Sequence, residues 1–156
     1  MSDAEFRARR ENVLLRQLLR ATRLMTDDTV ARMRARGIEA MHPSYPRLLG
    51  NLDTEGTRLN TLARRMGISR QAVAQLAKEI EANGFVERKP DPEDGRGVIV
   101  AFTPLGRNAL AIAVDVMSEI EREYEGVIGE RGMAALKRHL KAILDRFDRP
   151  GAFGLD

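Results

Sequence analysis

Cysteine is absent from the 156 residues, and histidine occurs only at positions 42 and 139. These two shortages exclude disulfides, thiolate zinc sites, cysteine nucleophiles and thiol sensors, and they leave little for metal or acid–base chemistry. Tryptophan is also missing, and no apolar run approaches the ~20 residues that a membrane span requires. The first residues (Ser2, Asp3, Glu5, then Arg7, Arg9 and Arg10) lack the apolar stretch of a signal peptide, so a cytoplasmic location is expected. What remains is 43% hydrophobic and 31% charged, the balance of a single folded domain rather than a disordered chain.

Charge is unevenly placed. Between Thr57 and Lys78 stand five basic residues (Arg58, Arg64, Arg65, Arg70, Lys78) and no acidic one; without them the chain would hold 21 basic against 23 acidic residues. This segment supplies the whole positive excess. A solvated helix face is one explanation, and a polyanion partner is the sharper one.

Hydropathy spacing sets out the elements. Ser2 and Glu5 have capping-box spacing, and Val13, Leu14, Leu18, Ala21 and Met25, continued by Val30 and Met33, predict one long helix reaching Gly37, bent near Thr26-Asp27-Asp28. His42 to Pro46 read as a turn into a short helix carrying Leu48, Leu49 and Leu52. Asn60 is the expected cap of a two-turn helix with Leu62, Ala63 and Met66 inward, ended by Gly67. Ser69 caps a second helix, in which Val73, Leu76, Ala77 and Ile80 share a face until Gly84. Two short helices across a glycine turn form a helix-turn-helix.

Residues 85–89 and 98–102 suit paired strands with a long polar tip between them. Thr103-Pro104 then opens a helix with Leu105, Ala109, Ile112, Val116, Ile120, Tyr124 and Val127 at helical spacing. An interruption at Gly129 to Gly132 precedes a last helix through Phe147, and Pro150-Gly151 begin a tail expected to be mobile. The fold class expected is mainly α: a helix-turn-helix followed by a small β-hairpin, between long N- and C-terminal helices.

With Val73, Leu76, Ala77 and Ile80 turned inward, Gln71, Gln75 and Lys78 point outward, flanked by Ala72 and Ala74. Such a face suits a DNA major groove: glutamine pairs bidentately with adenine, alanine touches a thymine methyl, and lysine meets phosphate. Arg70, at the helix start, can clamp backbone or guanine. Glutamine and alanine are also ordinary helix formers on a wet surface. At the hairpin tip, Arg96 between Gly95 and Gly97 can extend into a narrow groove, with Asp94 placed to hold its guanidinium. Asp91, Glu93 and Asp94 lack the spacing of a calcium loop, so no metal is expected.

Residues 59–73 (Leu59-Asn60-Thr61-Leu62-Ala63 through Ser69-Arg70-Gln71-Ala72-Val73), Gly84-Phe85-Val86-Glu87-Arg88, and Asp94-Gly95-Arg96 leading to Thr103-Pro104-Leu105-Gly106 resemble the MarR family of bacterial winged helix-turn-helix regulators. The Asp-x-Arg wing followed by Thr-Pro-x-Gly is the specific part. The resemblance implies one domain: dimerisation helices at 1–40 and 104–148, a DNA-binding region at 43–103, and a tail at 149–156. It also implies a homodimer reading a pseudo-palindromic operator in double-stranded DNA, with Ser69, Arg70, Gln71, Ala72, Gln75 and Lys78 on the recognition helix and Asp94 and Arg96 in the wing. A small aromatic or anionic effector would bind between the dimer helices and the helix-turn-helix, where Met33, Met41, His42 and Tyr45 can line a junction. Gly95 departs from the pattern, since many relatives carry a second arginine there. The missing cysteine removes the oxidation switch of one branch.

No cofactor or catalytic residue is expected, because no phosphate-binding loop, nucleophile elbow or zinc-hydrolase helix occurs. The alternative function is a winged-helix protein-interaction module without sequence-specific DNA reading. Five basic residues without one acid across the helix-turn-helix argue against it.

Overall fold

The computed structural model describes residues 2–148; the expected tail at 149–156 lies outside them. Helices α1 (Asp3–Glu11) and α2 (Leu14–Ala35) are followed by α3 (Tyr45–Leu49), strand β1 (Thr57–Arg58), α4 (Leu59–Met66), α5 (Arg70–Ala82), β2 (Val86–Pro90), β3 (Val98–Phe102) and α6 (Pro104–Phe147). The winged helix-turn-helix expected from sequence is present.

Its boundaries differ from expectation where local chemistry gives weak signals. The long first helix is two helices, broken not at Thr26-Asp27-Asp28 but at Asn12-Val13, where Val13 is extended (φ −70°, ψ 125°). Asparagine and valine both have low helix propensity, whereas Asp27 and Asp28 sit mid-helix, where Asp28 pairs with Arg32 four residues on. Asn60 does not cap α4. The chain enters that helix directly from β1, so the cap position falls on extended Arg58 and Asn60 lies in the first turn. Leu52 is buried beyond α3 rather than on it, because α3 ends at Leu49. Leu105 and Val127 do not join the inward stripe of α6; both are exposed.

Apart from Asn60, the expected caps around the helix-turn-helix are made. Gly67 takes the left-handed conformation (φ 61°) that ends α4, and the Ser69 hydroxyl accepts from the Ala72 N–H at 3.2 Å to start α5. At the opposite end of the wing, the Thr103 hydroxyl accepts from the Gly106 N–H at 3.0 Å, with Pro104 in the first turn of α6.

The sheet is antiparallel in the order β1-β3-β2, with Thr57 opposite Val100 and Val86 opposite Phe102. Leu62, Val73, Ala77, Ile80, Phe85 and Val100 pack the wing against the helix-turn-helix, and Val30, Met33, Val116 and Ile120 extend this core between α2 and α6. Arg32 bridges the same two helices, bonding Asp28 at 2.9 Å and Glu123 at 2.7 Å, and Arg36 reaches Glu119 at 2.6 Å.

Both ends of this frame leave apolar surface uncovered. Phe6, Leu14, Leu15, Leu18, Leu19 and Leu24 are exposed on α1 and α2, as are Leu136, Ile143, Leu144 and Phe147 on α6 beyond the break at Gly129. Fully burying one such side chain contributes about 1.5–3 kcal/mol, so this surface has a strong thermodynamic reason to be covered.

Candidate nucleic-acid interface

Amphipathic spacing fixes how α5 presents itself. Val73, Ala77 and Ile80 are buried and Leu76 half-buried, which leaves Gln71, Gln75 and Lys78 exposed along the opposite side, with Ser69, Arg70 and Ala72 also exposed at the start of the helix. The side chains of Gln71, Gln75 and Lys78 make no hydrogen bond or ion pair within the described residues. Their donors and acceptors face solvent.

The wing stands beside the start of this helix. Arg70 Nη2 lies 3.5 Å from the carbonyl oxygen of Arg96, bringing the first residue of α5 and the wing tip together. The guanidinium of Arg96 is exposed and makes no bond within the described residues. Asp94 does not hold that guanidinium, as the sequence suggested. Its Oδ1 accepts from the Arg96 backbone N–H at 3.1 Å, because a carboxylate two residues back in a tight turn meets the main chain before it can meet a long side chain. The cation is left free to point outward.

The basic segment divides once its partners are known. Arg58 is taken by Asp91 and Glu93, while Arg65 donates to Asp53 at 3.0 Å and to the Asn51 carbonyl at 2.8 Å. These pairings hold the carboxyl groups of Asp91 and Asp53 below the usual carboxylate range, with the neighbouring arginine as the largest cause in each. Arg64 and Lys78 remain exposed and make no such bond among the described residues. Together with Arg70 and Arg96 they form the available cationic set. Charge counting along the sequence could not make this division, because Arg58 and Asp91 are 33 positions apart.

Behind the interface lie the residues expected at an effector junction. Met33, Met41 and Tyr45 are buried in the core, and His42 is exposed with its Nδ1 2.8 Å from the Ser44 hydroxyl. The Tyr45 ring meets Phe85 edge-on at 6.1 Å and His42 at 5.7 Å. Its hydroxyl donates to Glu79 at 3.2 Å and accepts from Asn83 at 2.8 Å, both on or at the end of α5. The sequence had not signalled these two partners.

Comparison with known proteins agrees with this geometry. Residues 41–97, spanning the helix-turn-helix and wing, match the model of the MarR family. Over that segment the chain is similar to the MarR family. An uncharacterised HTH-type transcriptional regulator of Bacillus subtilis, YdcH, is 27% identical over 52 residues, covering 33% of this chain and 35% of that protein. The matched part is therefore about a third of the relative's length. Among solved structures, MarR superposes with a TM-score of 0.67 at 19% identity, over 85% of this chain and 93% of its own. NadR in complex with 4-hydroxyphenylacetate gives 0.64 at 20% identity, over 85% and 90%. The MarR-like fold thus extends beyond the matched segment into the terminal helices. None of the described helices is long and apolar enough to cross a membrane.

Proposed function

We propose that the chain is a homodimeric, sequence-specific DNA-binding transcriptional regulator, acting as a ligand-responsive repressor on a pseudo-palindromic operator. The carrying observation is the pairing of an exposed, unbonded α5 face (Gln71, Gln75, Lys78) with a wing whose Arg96 guanidinium is equally free. In this reading α5 enters the major groove, where the glutamines read bases, while Arg96 enters the neighbouring minor groove. Arg64, Arg70 and Lys78 neutralise phosphates.

Two-fold symmetry comes from the uncovered leucines of α1 and α2 and the apolar face at the end of α6, which a second copy would cover. Family likeness to regulators and the aromatic acid held by NadR support a small aromatic or anionic effector. Met33, Met41, His42 and Tyr45 lie where such a ligand would act, since Tyr45 bonds to α5 directly. A ligand there would release DNA by its differential affinity for two arrangements of the recognition helices.

Selection from random duplex DNA tests the reading. It predicts recovery of an inverted repeat with half-sites about one helical turn apart. Recovery of no sequence, with salt-sensitive but indiscriminate binding, would contradict it.

A further inference from the structure

Asp91 is the one buried charged residue among those described, 4% exposed at the point where β2 gives way to the wing. Its Oδ2 accepts from Arg58 Nε at 2.6 Å, and Oδ1 accepts from the Glu93 backbone N–H at 3.0 Å. Glu93 closes over the same guanidinium. From Asp91 a ladder of main-chain bonds runs to the tip. The Asp94 N–H donates to the Asp91 carbonyl (3.3 Å), the Gly97 N–H to the Asp94 carbonyl (2.7 Å), and the Asp91 N–H to the Gly97 carbonyl (3.0 Å). Arg96 sits between the last two, its own N–H held by Asp94.

Gly97 shows how closely this turn is packed. A Cβ there would lie 2.8 Å from the Asp91 Cβ and 3.1 Å from the Asp94 carbonyl oxygen, whereas a Cβ at Gly95 would meet nothing within 4 Å. The base of the wing is fixed, and the tip is open.

We propose that Asp91 is a positioning residue for the wing arginine: by locking Arg58, at the entrance to α4, onto the wing base, it sets where Arg96 stands relative to α5. This rests on the DNA-binding reading above. Arg58 is then a structural cation, set apart from the phosphate-binding set of Arg64, Arg70, Lys78 and Arg96.

The sign of one substitution separates this role from simple electrostatics. Removing an acid from a surface that meets a polyanion should tighten binding or leave it unchanged. Loss of positioning should weaken it. Asp91→Asn and Asp91→Ala are therefore expected to bind a duplex selected by the wild-type protein about tenfold more weakly, the worth of one charged hydrogen bond. Arg58→Gln should show a similar loss, and the Arg58→Gln/Asp91→Asn double variant should be no worse than either alone. In an Arg96→Ala background, Asp91→Asn should change affinity by less than twofold, because the effect passes through Arg96. Equal or tighter binding by both Asp91 variants, or an undiminished loss in the Arg96→Ala background, would overturn the proposal.

Amide exchange of the DNA-free protein gives an independent reading. Exchange at residues 94–97 should accelerate in Asp91→Ala while the amides of α5 stay protected. Unchanged exchange at 94–97 would overturn the clamp. If the wild-type protein selected no duplex, the DNA-binding reading would fail, and the exchange result would still decide whether Asp91 fixes the wing.

Discussion

The hydroxyl of Tyr45, at the start of α3, lies 3.2 Å from Glu79 Oε1 and 2.8 Å from Asn83 Nδ2, so a buried phenol ties the C-terminal half of α5 to α3. Burial is the largest cause raising the Tyr45 pKa above its ordinary value, and the bond to Glu79 adds to it. Because the folded pKa lies above the unfolded one, this stability is fully present below pH ~10 and is lost as pH rises through the folded pKa. Tyr45→Phe should cost about 1 kcal/mol at neutral pH, since both lost partners can turn to solvent. The variant should also lack the alkaline loss above pH ~10. Chemical denaturation across pH 7–11 checks both; a variant with the wild-type alkaline slope would assign that loss to other groups.

Gly106 lies so close to the wing strand that a Cβ on it would stand 1.9 Å from the carbonyl oxygen of Phe85. That carbonyl already accepts from the Thr103 N–H at 3.1 Å and cannot move alone. Gly106→Ala is expected to destabilise by about 3 kcal/mol, a value typical of overpacking a rigid site, readable as a lower melting temperature. A melting temperature within a degree of wild type would show that α6 shifts freely against β2.

The uncovered leucines predict association. Sedimentation at micromolar concentration should show about 35 kDa, twice the 17.5 kDa of one chain, and Leu18→Glu or Leu144→Glu should shift the equilibrium toward the single chain. A 17.5 kDa species alone would contradict the dimer.

Gly95 faces open space, so Gly95→Arg should fold normally and tighten DNA binding while steepening its salt dependence by about one phosphate contact. Arg64→Ala or Lys78→Ala should reduce that slope by a similar amount without changing base preference. Titrations at several salt concentrations separate these outcomes. An unchanged slope in Arg64→Ala would remove it from the interface.

Much of this frame was legible in the sequence because its signals are local. Gly67, Ser69 and Thr103-Pro104 each satisfy a backbone need within one turn, and the buried stripe of α5 repeats at helical spacing. What escaped reading depends on distant partners or on segments too short to carry a period. Strand β1 is two residues long, with no alternation to detect, and the chain's direct passage from it into α4 puts the cap position on Arg58 rather than Asn60. Leu105 and Val127 fit the helical spacing of α6 yet face solvent, because periodicity does not show where the core ends. Nor could the residues around Arg58 show that Asp91 had claimed it. Of the cations counted as one patch, the structure leaves only a subset free.

Base discrimination by the exposed face of α5 is the central claim, and one comparison tests it most directly: the affinities of wild type, Gln71→Ala and Gln75→Ala for a selected duplex and its single-base variants. The account predicts that each glutamine variant loses discrimination at one position, by about 1–3 kcal/mol, while retaining binding to the remaining sequence. Equal loss on every duplex, with the wild-type base preference intact, would contradict it.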